Sequence, residues 1–274
     1  MDRYMHGVPC WVDTTQPAPA AAQAFYTKLF GWTYETHDGS GYAMAKLRDG
    51  YAGAITAADQ EAPATWNTYV WVDDVDEVAQ RAAKAGGTVL VSPYDLGQDG
   101  RSATIADPAG ARLQLWQPGD HRGADRINEP GSWNFNDLQT TDVEGAKAFY
   151  GEVFGWHADE IDFGFGKSWM WKLDGYGDLL ANFDPNIRER QAADQAPDGF
   201  WDVVAWMSEV TDETPPTWGI TFSVENTDAA LDRATKGGAE VIVPAYDAGP
   251  VRTAVIKDPQ GAVLTLSKYT SPTT

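Results

Sequence analysis

Two aspartates, Asp13 and Asp137, occupy matching extended stretches 124 residues apart, Trp11-Val12-Asp13-Thr14-Thr15 and Phe135-Asn136-Asp137-Leu138-Gln139. A carboxylate on a strand that faces packed helices needs a partner or a proton, whereas one that faces a cleft is easier to accommodate. An apolar cleft would desolvate the group, raise its pKa and suit it to general acid/base work. The competing reading is structural, with each aspartate capping a turn or accepting from backbone near the strand end. Side-chain alternation names the neighbours. Trp11 and Phe135 share the aspartates' face, and Thr15 and Gln139 extend it. In Trp66–Val72, Thr68, Val70 and Val72 suit a helix-covered side, which leaves Asn67, Tyr69 and Trp71 for the cleft. The second-half counterparts on that face are Gly219, Thr221 and Ser223. Gln114 pairs in the same way with Trp116, and Thr265 with Ser267. Trp169 and Trp171 alternate on one strand and could grip a flat ring or pack beneath a neighbouring segment. The catalytic candidates are therefore Asp13 and Asp137. The binding candidates are Trp11, Asn67, Tyr69, Trp71, Gln114, Trp116, Phe135, Trp169, Trp171, Thr221 and Thr265.

The elements that must position these residues announce themselves by repetition. Ala24-Phe25-Tyr26-Thr27-Lys28-Leu29-Phe30-Gly31-Trp32 returns as Ala148-Phe149-Tyr150-Gly151-Glu152-Val153-Phe154-Gly155-Trp156. Internal repeats decide architecture before local propensity does. Pro17 and Pro19 close a first strand and open a helix over 20–30, in which Phe25 and Leu29 share a face and Gly31 is the C-cap. Strands follow near 32–37, 42–48 and 51–58, with Gly39, Gly41 and Gly50 between them. A second unit repeats the order. A strand from Trp66 leads to a helix that starts at Asp73-Asp74-Val75-Asp76 and stops at Gly86-Gly87, and strands follow near 88–92, 101–106 and 111–117. Residues 119–131 form a Gly- and Pro-rich linker, after which everything recurs. The offset is 124 early and about 151 late, so the second half holds an insertion of about 27 residues, expected near 184–216. The expected organisation is a first domain over 1–118, the linker, and a second domain over 132–274.

Composition narrows the function classes. The net charge of −20 repels phosphate backbones and anionic lipid, which disfavours nucleic-acid and membrane-surface roles. The single cysteine, Cys10, allows no internal disulfide and fits a reducing cytoplasm. No apolar run approaches a membrane span. Twelve tryptophans exceed what core packing ordinarily requires, so some are expected in a ligand cleft.

The ordered set of motifs resembles the vicinal oxygen chelate superfamily, the glyoxalase/bleomycin-resistance/dioxygenase fold. The carriers are the repeated Ala-Phe-Tyr…Phe-Gly-Trp, Val72-Asp73-Asp74-Val75-Asp76, Ala85-Gly86-Gly87 and the Asp107-Pro108-Ala109-Gly110 turn with its partner Asp258-Pro259-Gln260-Gly261. The four-module arrangement is most similar to actinobacterial members described as hydroxylase-like or glyoxalase-like. The resemblance implies an α+β fold of four βαβββ modules in two tandem glyoxalase-like halves, each a curled mixed sheet with outer helices and a cleft. It also implies divalent-metal ligands, His, Gln or Glu on the first strand of a module and Glu on its last. Counted onto this chain, those positions fall near Cys10 or Trp11, Asn134 or Phe135, Asn67, Gly219, Gln114 and Thr265, and none is His or Glu. His6, His37, His121 and His157 lie elsewhere. The expectation is a chain without a cofactor, a divalent metal being the less favoured case.

Three functions follow. One is a cleft enzyme acting on a small aromatic or polyketide-like metabolite through Asp13 or Asp137. The second is a non-catalytic binding or sequestering protein of the resistance type. The third is a metal-dependent lyase, isomerase or dioxygenase. In each the partner is a small molecule, and the chain is a monomer or homodimer.

Overall fold

The computed structural model describes residues 2–36, 41–58, 62–162, 167–211 and 213–270. Gly39 and His37 lie outside the described residues. The first module runs β1 (Pro9–Gln16), α1 (Pro19–Phe30), β2 (Thr33–Thr36), β3 (Ala43–Leu47) and β4 (Gly50–Ala57). The second runs β5 (Thr65–Trp71), α2 (Val75–Lys84), β6 (Thr88–Asp95), β7 (Gly100–Ala106) and β8 (Arg112–Pro118). The third has β9 (Trp133–Thr140), α3 (Val143–Phe154), β10 (His157–Asp162), β11 (Lys167–Lys172) and β12 (Val203–Glu209), with α4 (Tyr176–Ala181) and α5 (Ile187–Ala193) between its last two strands. The fourth has β13 (Thr217–Ser223), α6 (Thr227–Lys236), β14 (Glu240–Ala248), β15 (Val251–Lys257) and β16 (Val263–Tyr269).

Two eight-stranded sheets result, ordered β2-β3-β4-β1-β5-β8-β7-β6 and β10-β11-β12-β9-β13-β16-β15-β14. Both are mixed. In each module the first strand pairs in parallel with the fourth, and the second, third and fourth are antiparallel neighbours. Among the described residues no helix is long and apolar enough to cross a membrane.

The insertion lies upstream of its expected place. β3 and β4 are joined by residues 48–49, whereas β11 and β12 are joined by 173–202, which carries α4, α5 and a 3-10 turn at Phe200–Asp202. Residues 203–209, inside the stretch expected to be inserted, form a sheet strand. Their run Val203-Val204-Ala205-Trp206-Met207 is apolar, and Val203, Val204, Ala205 and Met207 are buried.

By contacts the chain forms two compact units. One comprises Met1–Cys10, Tyr69–Gly123 and Asn136–Trp218, and the other Trp11–Thr68, Ala124–Phe135 and Gly219–Thr274. The repeated helix organises the core of each. In the second unit α1 starts on Pro19, whose fixed φ suits the first helical turn, and ends on Gly31 at φ 80°, a left-handed cap that glycine adopts without strain. Its Phe30 stacks on Phe222 at 4.7 Å and its Tyr26 meets Trp66 edge-on at 5.4 Å. In the first unit Asp142 caps α3 by accepting from Gly145 N, and Gly155 ends the helix at φ 75°. Tyr150 there contacts Trp156, Trp171 and Trp218 at 5.5, 5.6 and 5.5 Å. The motif tryptophans also pin irregular backbone. Trp32 Nε1 donates to Gly131 O at 2.8 Å, and Trp156 Nε1 to Gly7 O at 2.7 Å.

Candidate functional site

Asp13 leaves β1 on the sheet face away from the helices. Its register neighbour is Ala54 on β4, and Met44 pairs with Ala54 in turn. The carboxylate is 1% exposed, yet it is held on both oxygens. Asn67 Nδ2 donates to Oδ1 at 2.8 Å and Tyr42 OH to Oδ2 at 3.0 Å. Trp11 Nε1 donates to that same tyrosine oxygen at 2.9 Å, and Asn67 Nδ2 also reaches Thr15 Oγ1 at 3.1 Å. Trp11, Asn67, Asp13 and Thr15 therefore converge as expected, through a tyrosine the sequence reading did not single out. The result is a clamp. A buried carboxylate that accepts from two good donors is satisfied as an acceptor and is poorly placed to exchange protons with a ligand.

Asp137 occupies the matching place on β9 and is held differently. Ser208 Oγ donates to Oδ1 at 3.0 Å, and the only other donor among the described hydrogen bonds is Gln139 Nε2, at 3.5 Å from Oδ2. A contact of that length is a weak restraint. The cause is local. By register the position of Tyr42 is taken by Ser168, and the sequence counterpart of Asn67 is Gly219, which has no side chain to donate. Asp137 is half-buried, and desolvation by the surrounding sheet outweighs the two donors, Ser208 and Gln139, and pushes its carboxyl up to about 6. Its neighbour on β12 is Trp206, where the first half has Ala54. Neither Trp206 nor Ser208 was found by sequence reasoning, because both sit in the stretch taken for the insertion. Strand alternation applied to Val203–Glu209 would have put the two on one face, and the pairing of Trp206 with Asp137 makes that the face of the carboxylate.

The remaining candidates divide. Tyr69 and Gln114 are register neighbours, as are Trp71 and Trp116, so all four share the expected face. Gln114 Oε1 accepts from Thr104 Oγ1 at 2.6 Å. Trp71 is covered by the Tyr4 ring at 6.1 Å and by the Arg122 guanidinium at 4.9 Å. Trp116 Nε1 donates to His121 O at 3.0 Å, and its ring meets those of Tyr69 and His121. Both tryptophans are buried, so they build a satellite core rather than an open ring-binding wall. Thr221 and Thr265 are half-buried register neighbours on β13 and β16, and Phe135 is half-buried on β9. Trp169 and Trp171 correct the expectation. Trp171 packs on Tyr150 and Trp156, and Lys147 of α3 lies 5.3 Å over the Trp169 ring, so both face the helix. Alternation fixed that they share a face but not which face.

The donors at the family's metal positions do not fit a divalent ion. Asn67 donates to Asp13 and Thr15, the Gln114 carbonyl accepts from Thr104, and Gly219 offers no ligand. Among the described residues no three His, Cys, Asp or Glu side chains come together as a metal site needs. Cys10 is fully buried and its thiol is pushed well up by desolvation, which makes it a core residue rather than a ligand or nucleophile.

Comparison with known proteins places the fold. Residues 11–116 match the glyoxalase-like domain family, and residues 132–266 match the Glyoxalase/Bleomycin resistance protein/Dioxygenase superfamily. The chain is 34% identical to CFP32 of Mycobacterium tuberculosis, covering 97% of this chain and 96% of that protein. It is 30% identical to the anthracycline biosynthesis protein DnrV of Streptomyces peucetius, covering 96% and 93%. Among solved structures, the 2,3-dioxygenase LapB of Pseudomonas sp. KL28 superposes with a TM-score of 0.63 at 14% identity, covering 98% of this chain and 95% of that one. The Mn(II)-bound glyoxalase of Novosphingobium aromaticivorans gives 0.62 at 13%, covering 96% and 83%. Four modules in two mixed sheets, matched along nearly the whole length by these relatives, make the chain a member of the glyoxalase/bleomycin resistance protein/dioxygenase superfamily.

Proposed function

We propose that the chain binds a small aromatic or polyketide-like metabolite on the sheet face away from the helices, and that Asp137 moves a proton on that molecule. The observation that carries the reading is the Asp137 carboxyl, raised to about 6 by desolvation and held firmly on only one oxygen. Near neutral pH such a group exchanges a proton with little penalty in either direction. Asp137 takes a proton from an acidic C–H or O–H of the ligand and returns it to a second atom, an isomerisation that balances without a co-reactant. Ser208 keeps Oδ1 oriented, and Oδ2 meets the ligand. Asp13 serves as a structural anchor, so the second half is the reactive one. The reading runs without a metal at the family positions, which the donor set there supports. The relative DnrV, named for anthracycline biosynthesis, is consistent with a polycyclic ligand. The small molecule is the partner, in a cytoplasmic monomer or homodimer.

The test is deuterium exchange into a panel of hydroxy-aromatic and polyketide compounds incubated with the full chain in D2O and read by NMR. Asp137→Asn should abolish enzyme-dependent exchange, and Asp13→Asn should keep it wherever the variant folds. Exchange at the wild-type rate in Asp137→Asn would overturn the catalytic role and leave a binding protein. Near-stoichiometric metal surviving dialysis would overturn the metal-free reading.

A further inference from the structure

The insertion is the largest difference between the two halves, and it is fastened beside Asp137. Its end is tied to its beginning by Leu173 N donating to Asp202 O at 2.9 Å and Gly177 N to Asp202 Oδ1 at 2.8 Å. The Trp201 ring lies so close over Gly177 that a β-carbon there would come within 2.3 Å of it. Lys172 adds a third tie, donating to Asp159 Oδ2 at 2.5 Å and to Asp198 O at 2.9 Å. These contacts deliver Phe200 to a point 6.2 Å, centroid to centroid, from the Trp206 ring. Trp206 is the register neighbour of Asp137, so its indole and the carboxylate leave the sheet on the same side.

We propose that Phe200 and Trp206 form an aromatic wall for an uncharged, flat hydroxy-aromatic ligand, whose hydroxyl meets Asp137. The first half has Ala54 at the position of Trp206 and a two-residue link in place of the insertion, so it lacks both parts of the wall. Charge excludes an anionic ligand. The cations of this segment are engaged, Lys172 by Asp159 and the Asp198 carbonyl, Arg188 by Asp178 and Arg190 by Asp184, and the chain as a whole carries −20. Lys172 acts as a positioning residue because it holds the backbone that presents Phe200. This inference rests on Asp137 being the reactive carboxylate only for the orientation of the ligand, while the ring wall stands on packing alone.

Isothermal titration calorimetry of the full chain with 1,4-dihydroxyanthraquinone, and with anthraquinone-2-sulfonate as the charged counterpart, tests it. The neutral probe should bind and the sulfonate should not. Trp206→Leu and Phe200→Ser should each weaken the neutral probe by about tenfold or more, the scale expected when one ring of an aromatic contact is lost. Phe200 lies outside the sheet, so its variant keeps the test informative if Trp206→Leu fails to fold. Lys172→Met should weaken binding without altering exchange chemistry on ligand already bound, a split between affinity and rate. Asp137→Asn should retain binding within a few-fold. Wild-type affinity in both ring variants, equal binding of the sulfonate, or no binding of the neutral probe to the wild-type chain would overturn the wall. Loss of exchange in Asp137→Asn would still support the proposed chemistry in each of those cases.

Discussion

Tyr26 and Asp258 are 232 residues apart and joined by a 2.8 Å hydrogen bond from the phenol to Oδ2. Tyr150 repeats the bond to Asp107 at 3.0 Å. Each tyrosine accepts in turn from an indole, Trp66 Nε1 at 3.2 Å and Trp218 Nε1 at 2.9 Å. Each aspartate uses its other oxygen to close its own turn, Asp258 Oδ1 on Gln260 N and Ala262 N and Asp107 Oδ1 on Gly110 N and Ala111 N. The helix motif and the Asp-Pro-x-Gly turn, separate repeats in the sequence, are thus two ends of one buried chain. One chain ties the first module to the fourth and the other ties the second to the third. Burial holds both phenols well above their ordinary range, so they remain donors at any pH the fold survives.

Tyr150→Phe should therefore cost about 1–3 kcal/mol, because it strands the Asp107 Oδ2 oxygen and the Trp218 N–H together. Tyr26→Phe strands the Trp66 N–H but leaves Asp258 Oδ2 accepting from Gln16 Nε2 at 2.8 Å, and should cost less, about 1 kcal/mol. Urea denaturation at neutral pH measures this. The two chains share no residue, so the double variant should lose the sum. A loss within error of zero in either single variant would mean that water or rearrangement replaces the phenol.

Asp137 makes a prediction of unusual sign. Its folded-state pKa is raised, so the folded protein binds this proton more tightly than the unfolded chain does. That contribution to stability is complete below the ordinary carboxylate pKa of about 4 and is lost as pH rises through about 6. At pH 8 the ionised carboxylate is a net cost, and Asp137→Asn removes it. The variant should match wild type near pH 4 and exceed it by on the order of 1–3 kcal/mol at pH 8. Taking the difference between the two proteins at each pH cancels the other acids. Equal stabilities at pH 8 would show that the site is wetter than its geometry implies.

The modules were readable because their signals are local. Pro19, Gly31, Asp74 and the Asp-Pro-x-Gly turns each act within a few residues, and their order recurs. The face of Asn67, Tyr69 and Trp71 was readable because Thr68 and Val70 between them are suited to the helix side. Trp169 and Trp171 were not, since Met170 between them is equally apolar and period-2 alternation has no sign of its own. The contrast between Asp13 and Asp137 was invisible for another reason. It depends on Tyr42 and Asn67 in one half against Ser168 and Gly219 in the other, residues on strands that only the sheet register brings beside the aspartates.

The clamp on Asp13 should behave as one unit. Asn67→Ala and Tyr42→Phe each remove one donor from a carboxylate that is 1% exposed, and each should cost about 1–3 kcal/mol. Asp13→Asn replaces an acceptor by an amide that faces two donors, and should cost more than either. A double-mutant cycle between Asn67→Ala and Asp13→Asn should show coupling of at least about 0.5 kcal/mol. Deuterium exchange into ligands should persist in every variant that folds. Loss of exchange in a folded Asn67→Ala protein would move the reactive carboxylate to the first half.

Trp71 and Trp116 should be silent in ligand binding. Trp71 lies beneath Tyr4 and Arg122, and Trp116 is fastened to His121 O. A ligand ring could reach the buried Trp71 only by displacing the Tyr4 ring as well as the exposed Arg122 guanidinium, whose own contact is worth about 0.5–1 kcal/mol. Trp71→Phe and Trp116→Phe should accordingly leave the affinity for 1,4-dihydroxyanthraquinone unchanged in calorimetry. Arg122→Ala should increase collisional quenching of tryptophan fluorescence by acrylamide without changing that affinity. The comparison with Trp206→Leu is what makes the result decisive, since both positions carry a large ring on the same kind of sheet face. If Trp71→Phe weakened the probe as much as Trp206→Leu did, the covering residues would be a movable gate and the first half would belong to the binding site.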